Sequence, residues 1–193
     1  MKRVMLIVAY DGTNYCGWQV QNNGTTIEGE LNKALSSLLK EEITVIGASR
    51  TDSGVHALGN VAVFDTEARM PAEKMAYALN SRLPEDIRVQ RSFQVADDFH
   101  PRKTSCIKTY EYRILNREFE LPGERLNSHF LRKKLNVTKM QEACIHFLGE
   151  HDFKSFCSIH TQADITVRTI YSLNVTKEGE IVRICVTGNG FLY

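Results

Sequence analysis

The sequence predicts a mixed α+β fold: a mixed, mostly antiparallel sheet flanked by helices. Three observations carry this. Apolar or alternating runs of strand length recur along the whole chain. Between them lie segments whose apolar residues recur at helical spacing. The resulting order, β-α-β-β-α-β followed by β-α-β-β, alternates the two element types but contains hairpins, which a purely parallel sheet does not.

The elements follow in order. Val4 to Ala9 is a continuous apolar run, closed by Asp11-Gly12, and reads as a buried strand. Residues 11 to 26 are rich in Gly, Asn, Gln and Thr and read as a loop. Thr26 precedes Ile27, Leu31, Ala34, Leu35 and Leu38, so it is the expected N-cap of a helix ending near Lys40. Gly29 stands where a capping-box glutamate would, so the box is absent. Ile43 to Ile46 reads as a second strand that enters the loop Gly47 to His56, and Val61 to Asp65 as a third. Pro71 opens a second helix with Met75, Leu79 and Leu83 on its apolar side, and Pro84 stops it. Ile87 to Val95 is a strand and Asp97 to Thr104 a polar loop. Ser105 to Leu115 is a long alternating strand. Val137 to Leu148 is a third helix, stopped by Gly149. Thr166 to Val175 and Glu180 to Val186 read as a hairpin closed around Lys177-Glu178-Gly179. A faint two-fold echo runs through this order: strand, helix and strand lead to Gly-Ala-Ser-Arg-Thr-Asp in one half, and strand, helix and a hairpin strand to Gly-Asn-Gly-Phe-Leu-Tyr in the other.

With 193 residues, 42% hydrophobic and 24% charged, the chain suits one or two packed domains rather than a disordered one. No run of eighteen apolar residues marks a membrane span. Five widely spaced cysteines without a Cys-X-X-Cys pair point to reduced thiols in a cytoplasmic protein, and argue against a disulfide framework or zinc ribbon. His146, His151 and His160 lack ligand-like spacing with them, so no metal is expected. The net charge of +1 excludes a protein that is basic throughout. Residues 100 to 140, however, carry ten Lys/Arg against four Asp/Glu. That excess, with Phe and Tyr among it, suits a polyanion or a solvated face.

The most informative loop is Gly47-Ala48-Ser49-Arg50-Thr51-Asp52-Ser53-Gly54-Val55-His56. A carboxylate two residues from a guanidinium can be held ionised and oriented, fit to act as nucleophile or base. The same residues also make an ordinary turn, with Asp52 bonding backbone N–H groups. His56 suits a structural hydrogen-bonding role, His100 before Pro101 an orienting one, and Trp18 a packing anchor. A non-catalytic RNA-binding module would use the basic segment with Tyr110 and Tyr112 for stacking. It would have no need of Asp52 beside an anionic ligand. A small-molecule hydrolase would need a second carboxylate or a Ser/His partner at recognisable spacing, and none is present.

Arg-Thr-Asp-Ser-Gly-Val-His-Ala at 50 to 57, preceded by Gly47, closely resembles the catalytic segment of the tRNA pseudouridine synthase A family. Four further blocks resemble that family in order: Tyr-Asp-Gly-Thr-Asn-Tyr-Cys-Gly-Trp-Gln-Val-Gln at 10 to 21, 97 to 114 with its Phe-His-X-Arg and Tyr-X-Tyr elements, Leu-Gly-Glu-His-Asp-Phe-Lys-Ser-Phe-Cys-Ser at 148 to 158, and Gly-Asn-Gly-Phe-Leu-Tyr at 188 to 193. Ser49 stands where glycine is usual in the family and Ser53 where alanine is common. The resemblance implies a pseudouridine synthase fold of two ferredoxin- or RRM-like halves around a central cleft. Residues 1–100 would form the half carrying the aspartate loop and 101–193 the second half. In the family the last block continues into further residues. With the apolar ending Phe191-Leu192-Tyr193, the expectation is that the second half lacks a C-terminal portion.

The implied activity is isomerisation of uridine to pseudouridine at positions 38, 39 and 40 in the anticodon stem-loop of tRNA, with no metal and no organic cofactor. By the same resemblance Asp52 is the catalytic aspartate, Tyr110 the active-site tyrosine on the uracil, and Arg50 its companion in binding the substrate. Arg102, Lys103, Lys108 and the run at 132 to 134 are the basic candidates for phosphate contacts. A homodimer in the cytoplasm, with tRNA spanning both subunits, completes the expectation.

Overall fold

The computed structural model of the chain describes residues 1–158 and 165–192; His160 and Tyr193, singled out above, lie outside the described residues. The chain divides into two compact units, Met1–Thr104 and Ser105–Tyr193. Among the described residues no helix is long and apolar enough to cross a membrane.

In the first unit the elements are β1 (Lys2–Tyr10), α1 (Ile27–Leu39), β2 (Ile46–Gly47), β3 (Ala57–Thr66), α2 (Met75–Asn80) and β4 (Ile87–Val95). The sheet order is β2-β3-β1-β4 and every neighbouring pair is antiparallel. This is the split β-α-β arrangement of a ferredoxin-like fold: β1 and β2 flank β3, and the helices cover one face. Alternation along β1 sends Val4, Leu6, Val8 and Tyr10 inward. They pack against Leu31 and Leu35 of α1 and Met75 and Leu79 of α2 in one core that also holds Trp18 and Phe64.

Local chemistry explains the element ends. The Thr26 side chain accepts from the Gly29 amide and caps α1, as its position predicts. Glu28 and Glu30 lie in the first turn, where the helix dipole favours acids. Pro71 precedes a short 3-10 turn, Ala72–Lys74, and only then the helix α2. The expected strand Ile43 to Ile46 is shorter than its apolar run suggested. The amides of Ile43 and Val45 donate to Ser36 Oγ and Asn32 Oδ1 on α1, at 3.0 and 2.8 Å. Those donors are satisfied by helix side chains, and ladder pairing begins only at Ile46.

The second unit contains β5 (Lys108–Leu115), β6 (His129–Phe130), α3 (Val137–Ala143), β7 (Gly149–Asp152), β8 (Val167–Glu178) and β9 (Ile181–Gly188), in the order β6-β5-β9-β8-β7. Among the described residues only the β5–β6 pair is parallel. Asn136 caps α3 by accepting from the Lys139 amide, and a 3-10 segment, Cys144–Phe147, continues it. Ile114, Cys144, Val175 and Val182 form its core. The hairpin turns at Gly179-Glu180, since Glu178 still pairs with Ile181; Lys177 and Glu178 belong to the strand, not to the turn. Both β6 and β7 escape the sequence pattern, being two and four residues long with little apolar content.

The internal echo is topological. In both units a strand, a helix and a returning pair give the same arrangement, β2-β3-β1 in the first and β8-β9-β5 in the second. The two motifs assigned to it are not equivalent, however. Gly-Ala-Ser-Arg-Thr-Asp follows β2, whereas Gly-Asn-Gly-Phe-Leu-Tyr follows β9, the counterpart of β3.

Candidate active site

The loop between β2 and β3 is held against the loop between β1 and α1 by backbone contact. The Trp18 amide donates to the Thr51 carbonyl at 3.0 Å, and the Gly54 amide to the Tyr15 carbonyl at 3.3 Å. Ser53 Oγ donates to the same Tyr15 carbonyl at 3.2 Å. The approach is close because glycines permit it. A Cβ at Gly12 would lie 2.0 Å from the Val55 carbonyl oxygen, and one at Gly17 2.5 Å from that of Thr51. Gly47 is filled from the side by the fully buried Trp18 indole, 2.4 Å from where its Cβ would be. The sequence motifs at 10 to 21 and 47 to 57 are therefore two halves of one cradle.

Polar side chains pin the loop from below. The Tyr10 hydroxyl and Thr51 Oγ1 are 2.8 Å apart. Asn60, buried at the start of β3, donates to the Tyr10 hydroxyl at 3.3 Å and to the Ser49 carbonyl at 3.1 Å. Register shifts in both ladders fall between Ile7 and Tyr10, next to this site, where bulges commonly re-aim a strand. His56 Nδ1 lies 3.3 Å from the Gly12 amide nitrogen and 3.1 Å from Asp11 Oδ1, a structural placement. The Thr13 hydroxyl and amide, with His56 nearby, hold the Asp11 carboxyl below the usual carboxylate range.

Within this frame a turn closed by the Val55 amide on the Asp52 carbonyl, at 3.2 Å, presents Asp52 outward. Arg50 and Asp52 are both exposed. The exposed Asp52 carboxylate stands at the tip of a loop fixed on several sides, and among the described residues no ion pair engages it. Arg102 Nε donates to the Gly47 carbonyl at the loop's base, at 2.8 Å. Lys103 is exposed in the same turn, its amide bonded to the His100 carbonyl at 3.1 Å.

Tyr110 and Lys108 belong to the second unit, on β5. Tyr110 faces Val186 of β9 and meets Phe191 edge-on, with ring centroids 4.9 Å apart. Phe191 lines an apolar recess of about 290 Å³ with Phe147, Phe153, Phe156, Ile170 and Leu173. The run at 132 to 134 is split. Arg132 reaches Glu118 at 3.6 Å, and Arg132 and Lys134 join Arg117 and Lys177 around a second recess of about 300 Å³. Arg117 and Lys177 meet there although sixty residues separate them in the sequence. Among the described residues no group of three or more His, Cys, Asp or Glu is placed to hold a metal ion.

Asn60 lies outside every motif, whereas Tyr10 and Phe191 lie inside motifs that assign them no role of their own. The glycines of Tyr-Asp-Gly-Thr-Asn-Tyr-Cys-Gly carried the one usable signal, since spaced glycines mark close backbone approach.

The family described as tRNA pseudouridine synthase matches residues 6–102 and 143–193, which include both loops of the cradle and the segment from β7 through β9. A protein of a Thermoanaerobacter species named tRNA pseudouridine synthase A is 45% identical over 193 residues, covering 100% of this chain and 79% of its own length. One from Ruminiclostridium cellulolyticum with the same name is 45% identical over 194 residues, with the same coverage. A third, from a Geobacter species, is 44% identical over 192 residues and is covered over 78% of its length. With its aspartate loop and its partner loop both inside the matched region, the chain belongs to the tRNA pseudouridine synthase family.

Proposed function

We propose that the chain isomerises uridine to pseudouridine at positions 38, 39 and 40 of the tRNA anticodon stem-loop, with Asp52 as the catalytic group. The observation that carries this reading is the exposed carboxylate of Asp52 on a loop pinned by Tyr10, Asn60 and the backbone of Tyr15 and Trp18. A carboxylate in fixed orientation, open to a ligand, is preorganised for chemistry rather than for packing.

The reaction breaks the bond between uracil N1 and C1′ of the sugar, turns the base, and joins C5 to C1′. C5 loses a proton and N1 ends protonated, so the change is isoelectronic and needs no co-reactant. Asp52 serves any of three first steps: attack on the ring, attack on the sugar, or abstraction of a sugar proton. Tyr110 offers a face that stacks on the uracil, and a hydroxyl that moves the C5 proton. A base in a stem must leave the stack first, at a cost of a few kcal/mol. Arg50 occupies the space it vacates, and Lys103 and Lys108 neutralise neighbouring phosphates. The enzyme acts in the cytoplasm as a homodimer, with tRNA spanning both subunits.

The test is to incubate unmodified tRNA with the protein and map pseudouridine by carbodiimide adducts that stop reverse transcription. Stops at positions 38 to 40 are expected. Stops elsewhere in the tRNA would refute the site assignment, and none at all would refute the activity.

A further inference from the structure

We infer that Arg102 is a positioning residue for the aspartate loop, and that it acts through its Nε–H rather than through its charge. The inference rests on the reading of Asp52 as the catalytic group. The basic segment in which Arg102 lies suggests a phosphate contact for it. Its placement gives it different work.

The peptide group joining Gly47 to Ala48 is where the chain leaves β2 for the loop. Its N–H side is held by β3, since the Ala48 amide donates to the Val61 carbonyl at 2.7 Å. Its C=O side is held by Arg102, whose Nε donates to the Gly47 carbonyl at 2.8 Å. Gly47 is buried and its flank is filled by the Trp18 indole, so this carbonyl has little access to water. Clamped at both ends, the peptide plane fixes the direction in which the chain departs toward Arg50 and Asp52, three and five residues on. An unclamped peptide would be free to rotate, and the carboxylate would turn with it.

Arg102, an exposed residue, is held through its backbone. Its amide donates to His100 Nδ1 at 3.2 Å, while the His100 carbonyl accepts from the Lys103 amide and from Thr104 Oγ1, both at 3.1 Å. The preceding Phe99 carbonyl accepts from Arg3 Nη1 at 2.9 Å. Arg3 is locked by a two-pronged pair to Asp65, directly opposite on β3, at 2.7 and 2.8 Å. A continuous set of bonds therefore runs from β3 through β1 to the turn at 99 to 104, and from that turn to the base of the loop. The polar side chains of Phe-His-Pro-Arg all serve this set.

Two variants separate donor from charge. Arg102→Gln removes the charge but keeps an N–H donor at the position of Nε, the same number of bonds from Cα. Arg102→Met keeps the length and has neither. Tritium release from tRNA labelled at uridine C5 gives kcat and KM, and amide hydrogen exchange across residues 48 to 56 reads the loop whether or not the chain is active. The Met variant is expected to lose at least tenfold in kcat with KM within twofold, and to exchange faster across 48 to 56. The Gln variant is expected to recover kcat to within threefold of wild type and to restore slow exchange, with the salt dependence of tRNA binding unchanged in both. The inference is overturned if Gln is as impaired as Met with a raised KM and a salt slope shallower by about one, the mark of a phosphate contact. Wild-type kcat and exchange in the Met variant would overturn it equally. If the wild-type chain releases no tritium, the catalytic reading fails, and the exchange data alone still decide whether Arg102 holds the loop.

Discussion

Gly17→Ala tests whether the loop at 11 to 26 sets the position of Asp52. Gly17 has φ +82°, and a Cβ there would meet the Thr51 carbonyl oxygen at 2.5 Å and the Asp52 carbonyl carbon at 3.1 Å. Holding alanine in a left-handed conformation costs about 1–2 kcal/mol. The clash adds to this, because the obstacle is backbone and cannot swing aside. To reach ordinary contact the Thr51 carbonyl must retreat by roughly 0.9 Å, and overpacking of that kind costs about 1–3 kcal/mol. The retreat also stretches the bond from the Trp18 amide to that carbonyl. The expected destabilisation is about 2–5 kcal/mol by urea unfolding. A misplacement near 1 Å is enough to lower kcat about a hundredfold in a tritium-release assay. Gly54→Ala is the control. Gly54 has nearly the same φ, +79°, but nothing lies within 4 Å of its Cβ position. It should lose only the conformational 1–2 kcal/mol, about the cost of the left-handed backbone, with a change in kcat of a few fold. Equal losses of stability and of rate in the two variants would refute the cradle as the device that places Asp52.

Tyr110→Phe keeps the ring and removes the hydroxyl, whereas Tyr110→Ala removes both. Ala is expected to weaken tRNA binding by about 1–3 kcal/mol through lost stacking, and Phe to lower kcat with little change in KM; wild-type kinetics from both would take Tyr110 out of the site. Tyr15 donates to Asp86 at 2.5 Å, and burial, then that bond and the nearby negative charge, hold its phenol protonated far above the usual tyrosine range. A pKa raised on folding contributes stability that is complete below the unfolded value of 10.0 and is lost as pH rises toward the folded one. Tyr15→Phe should therefore be less stable than wild type by about 1.5–3 kcal/mol at pH 8, with the gap narrowing above pH 10. Urea titrations at the two pH values check this, and a gap that widened would contradict it.

What could be read from the chain is what local chemistry decides. β4 was legible end to end as Ile87 to Val95, and α1 from its cap, because alternation, helical spacing and a Thr before an apolar stripe are all short-range signals. The shortening of β2 was hidden because Ser36 and Asn32 reach across from α1 to take the amides of Ile43 and Val45. The hairpin turn was misplaced because polar Lys177 and Glu178 look like turn residues, although an exposed strand tip tolerates them. The candidate site divides along the same line. Asp52 and Arg50 stand in one loop, whose residue types fit either chemistry or an ordinary turn until the family resemblance assigns them to the site. Tyr10, Asn60 and Arg102 act on that loop from 41, 11 and 55 residues away, through contacts that no local pattern records.

The central claim is that the Asp52 carboxylate performs the chemical step. Asparagine at that position keeps the size and removes the charge. The most direct measurement is tritium release from C5-labelled uridine in tRNA by wild type and Asp52→Asn, with tRNA affinity measured on both. Wild type should release tritium, and the variant should release none above background while binding tRNA within a few fold of wild type. Release by the variant at near the wild-type rate would show that another group carries out the isomerisation.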